Sequence, residues 1–254
     1  MKIIASIQAR LGSSRLPGKV LKEINGKPML YWHIERLKRA RLIDDIIVAT
    51  TTNSLDDKIV DFCKQYNIKF FRGSEDDVLK RISSMIEKFK IDIHVELFGD
   101  SPLTDPHIVD EFVGILLKSF DNLDFVSNSI KTTYPPGQEV LVYKGSCLLK
   151  ANKLVEKDSK LREHVSIHIY KNPNIFKILN VEAPYYYNYP DIFLEVDTAQ
   201  DFLLIEKIFN YFFDRNINHF SLSQILDFVV KNPELSKINE NVERRWMQFR
   251  DENV

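Results

Sequence analysis

The sequence has only two cysteines, Cys63 and Cys147, far apart and without a partner motif. That excludes a disulfide framework and a cysteine-based metal site, and it fits reduced thiols. No run approaches the roughly 20 apolar residues that a membrane helix needs. The opening MKIIASIQARL is too short and too soon charged for a secretory leader. Neither charge dominates: 35 basic and 36 acidic residues leave a net charge of -1. No global field therefore favours DNA, RNA or an anionic membrane. Internal repeats and low-complexity tracts are also missing. These absences lead to the expectation of a soluble, cytoplasmic protein that binds neither nucleic acid nor membrane.

What is present begins with enough apolar residue, 44% of 254, for one sizeable core. Residues 2–8 read as a buried strand, and KPMLYWHIERLKRA (27–40) has helical spacing with Pro28 suited to a first turn. Further strands are expected at 44–50, 68–72, 92–98 and 123–128. The helices between them are expected to be opened by Ser54 with Asp57 as capping-box partner, by Ser74, and by Asp105 with Pro106. Strands alternating with helices predict an α/β fold, a Rossmann-like, mostly parallel sheet covered on both faces.

The pattern changes after residue 128. Residues 130–146 read as a turn and a strand, 161–172 as helical, 174–184 as a strand, and 185–213 as a loop, a short strand and a long helix. The chain is expected to form a single domain in four parts. Residues 1–128 are the alternating strand–helix half, 129–190 an inserted α+β segment beside the sheet edge, and 191–219 a return to the sheet. Residues 220–254 form a helical extension with a charged tail.

The stretch IASIQARLGSSRLPGKV (4–20) runs an apolar strand into a loop with three cations, Arg10, Arg15 and Lys19. Ligands of open parallel sheets bind beyond the carboxyl ends of strands. Glycines such as Gly12 permit close backbone approach, and arginine can take phosphate oxygens with two parallel hydrogen bonds. The loop is not a Walker A motif: five residues separate Gly12 from Gly18, and Val20 follows Lys19 where a magnesium-binding hydroxyl would stand. Nor is it G-x-G-x-x-G. The bland alternative is a solvated loop, with Arg15 as its anchor.

Asp100, in LFGDSPLTDP, and Asp197, in FLEVDTAQDF, each follow an expected strand. Two such carboxylates converging with substrate oxygens would suit magnesium. Each could instead cap the next helix, although Asp105 is better placed for the first of these. Asp201 reads as a first-turn acid near a helix dipole.

QARLGSSRLPGKVL closely resembles the signature loop of the sugar cytidylyltransferases. These include the CMP-Kdo and CMP-sialic acid synthetases and the spore-coat polysaccharide branch. IIVATTTNSLDD, FRGSEDDVLKR, GDSPLTDP, YPPGQEV, LREHVS and EVDTAQDF resemble later blocks of these enzymes, over roughly residues 1–210. FGDSPL is closer to the sialic acid and Kdo enzymes than to the spore-coat branch.

The resemblance implies a nucleotide-diphospho-sugar transferase fold and a reaction in which CTP and an acidic sugar give a CMP-sugar and pyrophosphate. It implies Arg10, Gly12, Ser13, Arg15 and Lys19 on the triphosphate, and Asp100 and Asp197 on Mg2+. Arg10, Lys19, Asp100 and Asp197 would be catalytic. The base would be recognised near Ala5, Ala49 and Thr50, with Arg72 and Ser74, although Ala5 and Ala49 also suit close sheet–helix packing and Arg72 could pair with Glu75 or Asp76. Gln138, Glu139, Arg162, Glu163 and His164 would face the acceptor. The aromatic stretch YYYNYP (185–190) could line a sugar site or a subunit contact, and a homodimer is expected. The competing readings are a related enzyme using another nucleotide or a sugar or polyol phosphate, and a non-catalytic nucleotide-binding protein.

Overall fold

The structure is a computed structural model describing residues 1–157 and 159–247. The chain runs from β1 (Ile3–Gln8) through a small antiparallel ribbon, β2 (Glu23–Ile24) and β3 (Lys27–Pro28), into α1 (Met29–Leu37). Then come β4 (Asp45–Thr51), α2 (Asp57–Gln65), β5 (Lys69–Gly73), α3 (Val78–Phe89), β6 (Ile93–Phe98) and α4 (Pro106–Lys118). They are followed by β7 (Phe125–Ser127), β8 (Leu141–Lys144), α5 (Gly145–Leu154), α6 (Ile167–Tyr170) and β9 (Ile178–Asn180). The last elements are α7 (Ala199–Phe213), α8 (Leu222–Lys231) and α9 (Pro233–Ser236).

One seven-stranded sheet has the order β5-β4-β1-β6-β8-β7-β9. β8 pairs antiparallel with both β6 and β7, and the other pairings are parallel. β1 lies between β4 and β6 and is buried on both faces, which is why its sequence is apolar rather than alternating. Ile3, Ala5 and Ile7 pack with α1, α4, α7 and α8, while Ile4 packs on the opposite face with α3 and α5. Residues 129–190 supply β8 and β9 to the sheet itself.

Several local expectations are corrected. Asn53, not Ser54, accepts from the Leu55 N–H and opens a 3-10 turn, Ser54–Asp56, before α2. Asp77, not Ser74, caps α3 by accepting from the Lys80 N–H. In each case an Asx side chain sits where the following turn presents its free donors. Residues 161–172 are not one helix: a 3-10 turn, Lys160–Glu163, precedes an extended His164, and α6 follows. The short strand expected before Asp197 does not form a ladder. That segment is held by single backbone bonds, Leu194 N to Pro136 O (2.7 Å) and Val196 N to Asp100 O (2.8 Å). The charged tail beyond residue 247 lies outside the described residues.

Two glycines allow the close approaches that shape the site. A Cβ on Gly99 would stand 2.7 Å from the Gln8 carbonyl oxygen, so the loop after β6 can press against the end of β1 only with glycine there. Gly137 has φ 98°, and a Cβ would meet the Leu194 carbonyl carbon at 2.5 Å. The Pro135–Gln138 turn thereby lies directly against the segment that carries Glu195 and Asp197.

Candidate active site

The loop after β1 is fixed at its base by Asp56. This carboxylate, 2% exposed, accepts from the Leu11 N–H at 2.7 Å and from the Thr51 hydroxyl. The Gly18 N–H closes the loop on Leu11 O at 3.0 Å. Lys19 then begins a 3-10 turn whose first residues are buried. Its Nζ donates to Asp100 Oδ2 at 2.9 Å, Asp197 Oδ1 at 3.0 Å and Val196 O at 2.7 Å. Burial pulls the Lys19 pKa down, but the two carboxylates outweigh it and hold it above the ordinary value. Arg15 completes the cluster, 2.5 Å from Asp197 Oδ2, while its other arm donates to Glu243 O at 2.7 Å.

These groups form one wall of a cleft of about 800 Å³ at the carboxyl ends of β1 and β6. Arg10, Gly12, Ser13, Arg15, Lys19, Asp100 and Asp197 all line it. Glu139, Glu163 and His164 line the same cleft. Burial lowers the His164 pKa, against the opposing pull of Glu163. Burial raises Glu139 and Glu195; nearby Asp100 raises Glu139 further, and Glu139, Asp100 and Asp197 raise Glu195 further.

Other residues expected at the site lie elsewhere. Ala5 and Ala49 are fully buried, each packed in the core on a different face of the sheet, and Thr50 is also fully buried. Their backbones are in ladder register with neighbouring strands, so they do not open onto the cleft. Arg72 braces the turn after β4, donating to Thr51 O and Asn53 O and pairing with Asp57 at 2.7 Å, not with Glu75 or Asp76. The Ser74 hydroxyl accepts from the Asp77 N–H and its carbonyl from Arg81. Gln138, also fully buried, spans the Asp105 N–H and Leu103 O, which makes it a brace between loops. Arg162 is 7% exposed and spent on Asp77 and Asn152. Burial of such polar groups requires partners, and these partners are internal.

Arg81, Glu96, Arg245 and Trp246 are among the other residues that line the cleft. Arg81, on α3, has its Nε buried without an acceptor among the described residues, and burial followed by nearby Arg10 lowers its pKa to about 10. Glu96, on β6, is 2% exposed and is raised by burial to about 7, against hydrogen bonds from Tyr143 and Gln8. The Tyr143 hydroxyl donates to Glu96 at 3.0 Å and contacts His94 Nδ1 at 2.8 Å, and His94 Nε2 meets the Ser6 hydroxyl at 2.7 Å. Arg245 and Trp246 arrive from beyond α9. Glu96 carried one usable signal, a charge in the otherwise apolar pattern of β6.

The cytidylyltransferase family matches residues 4–230. The chain belongs to that family. It is a CTP-dependent nucleotidyltransferase. An uncharacterized protein of Methanocaldococcus jannaschii is 40% identical over 245 residues, covering 96% of this chain and 97% of that protein. The spore coat polysaccharide biosynthesis protein SpsF of Bacillus subtilis is 27% identical, covering 94% of this chain and 98% of that one. A solved cytidylyltransferase structure from Leptospira borgpetersenii superposes with a TM-score of 0.86 at 29% identity, over 96% of this chain and 99% of that one.

The acids of this cytidylyltransferase suit a divalent cation. Asp100 and Asp197 already converge on one positively charged nitrogen. Among the described residues no group of three or more His, Cys, Asp or Glu is arranged to hold a metal alone. Two carboxylates completed by substrate phosphate oxygens are the donor set magnesium commonly uses.

Proposed function

We propose that this cytidylyltransferase moves CMP from CTP to an acidic sugar, a nonulosonic or Kdo-like acid, and releases pyrophosphate for surface glycan synthesis. The observation that carries the reading is the meeting of Lys19 with Asp100 and Asp197 at the mouth of a cationic, glycine-bearing loop. The likeness to SpsF over nearly the whole chain supports it. So does a 3-deoxy-manno-octulosonate cytidylyltransferase of Geobacter metallireducens, 34% identical over 119 residues, 46% of this chain and 45% of that one.

In this reading the Gly12 and Ser13 backbone, with Arg10, Arg15 and Lys19, holds the triphosphate. Asp100 and Asp197 would hold Mg2+, which supplies Lewis-acid polarisation when bound. The acceptor hydroxyl oxygen bonds to the α-phosphorus. The bond from that phosphorus to the bridging oxygen breaks, and pyrophosphate leaves with the electron pair. Arg10 and Lys19 stabilise the charge that gathers on it. Glu139, raised by burial, takes the hydroxyl proton. Lys171, which lines the cleft beside Glu163 and His164, meets the acceptor carboxylate.

The enzyme works in the cytoplasm, as a homodimer. Exposed Leu179 on edge strand β9, with exposed Tyr185 and Tyr186, supports a subunit contact there. The decisive test supplies CTP and magnesium with a panel of ulosonic acids and sugar phosphates and looks for a CMP adduct by mass. Transfer to a sugar phosphate alone, or transfer from another nucleotide in preference to CTP, would overturn the reading.

A further inference from the structure

The segment after α9 turns back across the molecule and ends on the phosphate-side loop. Its anchor is Asp201, which is fully buried. One oxygen of Asp201 accepts from the Asp197 and Thr198 N–H groups and the Thr198 hydroxyl, as part of the capping box of α7. The other accepts from Asn239 Nδ2 and Arg244 Nη2, each at 2.8 Å. Arg244 is 4% exposed, and its guanidinium stacks 4.3 Å from the Phe193 ring centroid. One carboxylate therefore ties the segment bearing Asp197 to the returning chain.

Beyond that anchor the chain reaches the cleft. The Glu243 carbonyl accepts from Arg15. Arg245 Nη1 donates to the Ser14 hydroxyl at 3.2 Å. Trp246 Nε1 donates to Glu195 at 2.7 Å. Arg245 and Trp246 both line the cleft, although they lie beyond residue 230, where the family match ends.

The charges at the loop set the need. Arg15 and Lys19 are matched by Asp197 and Asp100, so these four groups add no net positive charge toward a polyanion. Arg10 is the loop's remaining cation, and a further one reaches the cleft from beyond α9. Lys19 and the acids mark the place of the reacting phosphorus, and Ser14 lies at the loop's rim, five residues earlier in the chain. Arg245 sets an exposed guanidinium beside Ser14, on that rim.

We propose that Arg245 is a catalytic residue of this transferase: from its place beside Ser14 it binds the β- and γ-phosphates of CTP, and then the departing pyrophosphate. Arg244 is a positioning residue that acts through Asp201. The proposal rests on the nucleotide-site half of the reading above and is independent of which acceptor is used. Arginine suits the task because its planar fork takes two phosphate oxygens at once.

The test is calorimetric titration of CTP, CMP and inorganic pyrophosphate into the wild-type chain, Arg245→Ala and Arg245→Lys. In Arg245→Ala, CTP and pyrophosphate affinity should each fall about tenfold, while CMP, which lacks the outer phosphates, stays within about twofold. Arg245→Lys should recover part of the loss, because it keeps the charge without the fork. The melting temperature should hold, since Arg245 is exposed. Unchanged CTP and pyrophosphate affinity in Arg245→Ala would overturn the proposal. An equal loss for CMP would overturn it too, since the contact would then not be to the outer phosphates. Absence of CMP transfer to any acidic sugar would instead count against the acceptor reading and leave these binding ratios to decide on Arg245.

Discussion

Lys19 Nζ sits within 3.0 Å of both Asp100 and Asp197, residues 81 and 178 positions away along the chain. This contact closes the loop after β1 onto the ends of two other segments. The cation lies between two acids that would otherwise repel each other.

Asp100→Asn should therefore cut kcat by roughly 100-fold or more, the scale expected when charge stabilisation at a reacting centre is removed. Circular dichroism should show the fold intact. Turnover near wild-type level would remove Asp100 from the chemistry. Chelation of divalent cations from the wild-type enzyme should likewise stop CMP transfer, and magnesium should restore it.

Gly99→Ala should destabilise the protein by about 1–3 kcal/mol, the usual range for forcing atoms into a packed site. The added carbon would meet the Gln8 carbonyl, which is backbone and cannot swing away. Activity should fall further than stability alone accounts for, because Asp100 is the next residue. Urea unfolding and steady-state kinetics on one preparation would separate the two effects. An unchanged unfolding midpoint would show that the loop has slack.

Asp201→Ala should cost about 3–5 kcal/mol, the range for breaking a buried ion pair and leaving its partner charged. Arg244 would then keep only Glu195, 3.5 Å from its Nη1, and the Asp197 N–H would lose its acceptor. Thermal denaturation measures the cost. A shift of less than a degree would show that Arg244 finds another partner.

Glu96 sets a pH dependence of known sign. Its folded pKa, about 7, lies above the ordinary 4.5, so the fold favours the neutral acid. Its contribution is fully present below pH 4.5 and is lost as pH rises through 7. Buried His33 and His94, lowered to about 3 by burial, act in the opposite sense, losing stability as pH falls below 6.5. The clean measurement is thus the difference in melting temperature between Glu96→Gln and wild type. It should move in favour of the variant from pH 5 to pH 8. A constant difference would show that Glu96 is ionised throughout.

The parallel core of the sheet was legible because β1, β4 and β6 are buried on both faces and read as mainly apolar runs bounded by turn residues. The loop cations were legible for a different reason: charge directly after such a strand lies at a known end of the sheet. β8 was harder to read, since nothing in LVYK distinguishes a strand inserted between β6 and β7 from one at the edge. Gln138 and Arg162 show the limit of local pattern. Their polar groups are used by Asp105, Leu103, Asp77 and Asn152, partners set by tertiary approach. Arg245 and Trp246 had no local signal, because their meaning depends on a return path anchored at Asp201.

That return path bears on when the protein can first work. Arg15 joins the carbonyl of Glu243, 228 residues downstream, and Lys19 needs an acid near residue 200. During synthesis the early strands can pair while the ribosome is still translating, yet the cleft remains incomplete until the chain beyond residue 240 has emerged. Catalytic competence is thereby tied to synthesis past residue 240, and fragments stalled earlier would carry the signature loop without its counterparts.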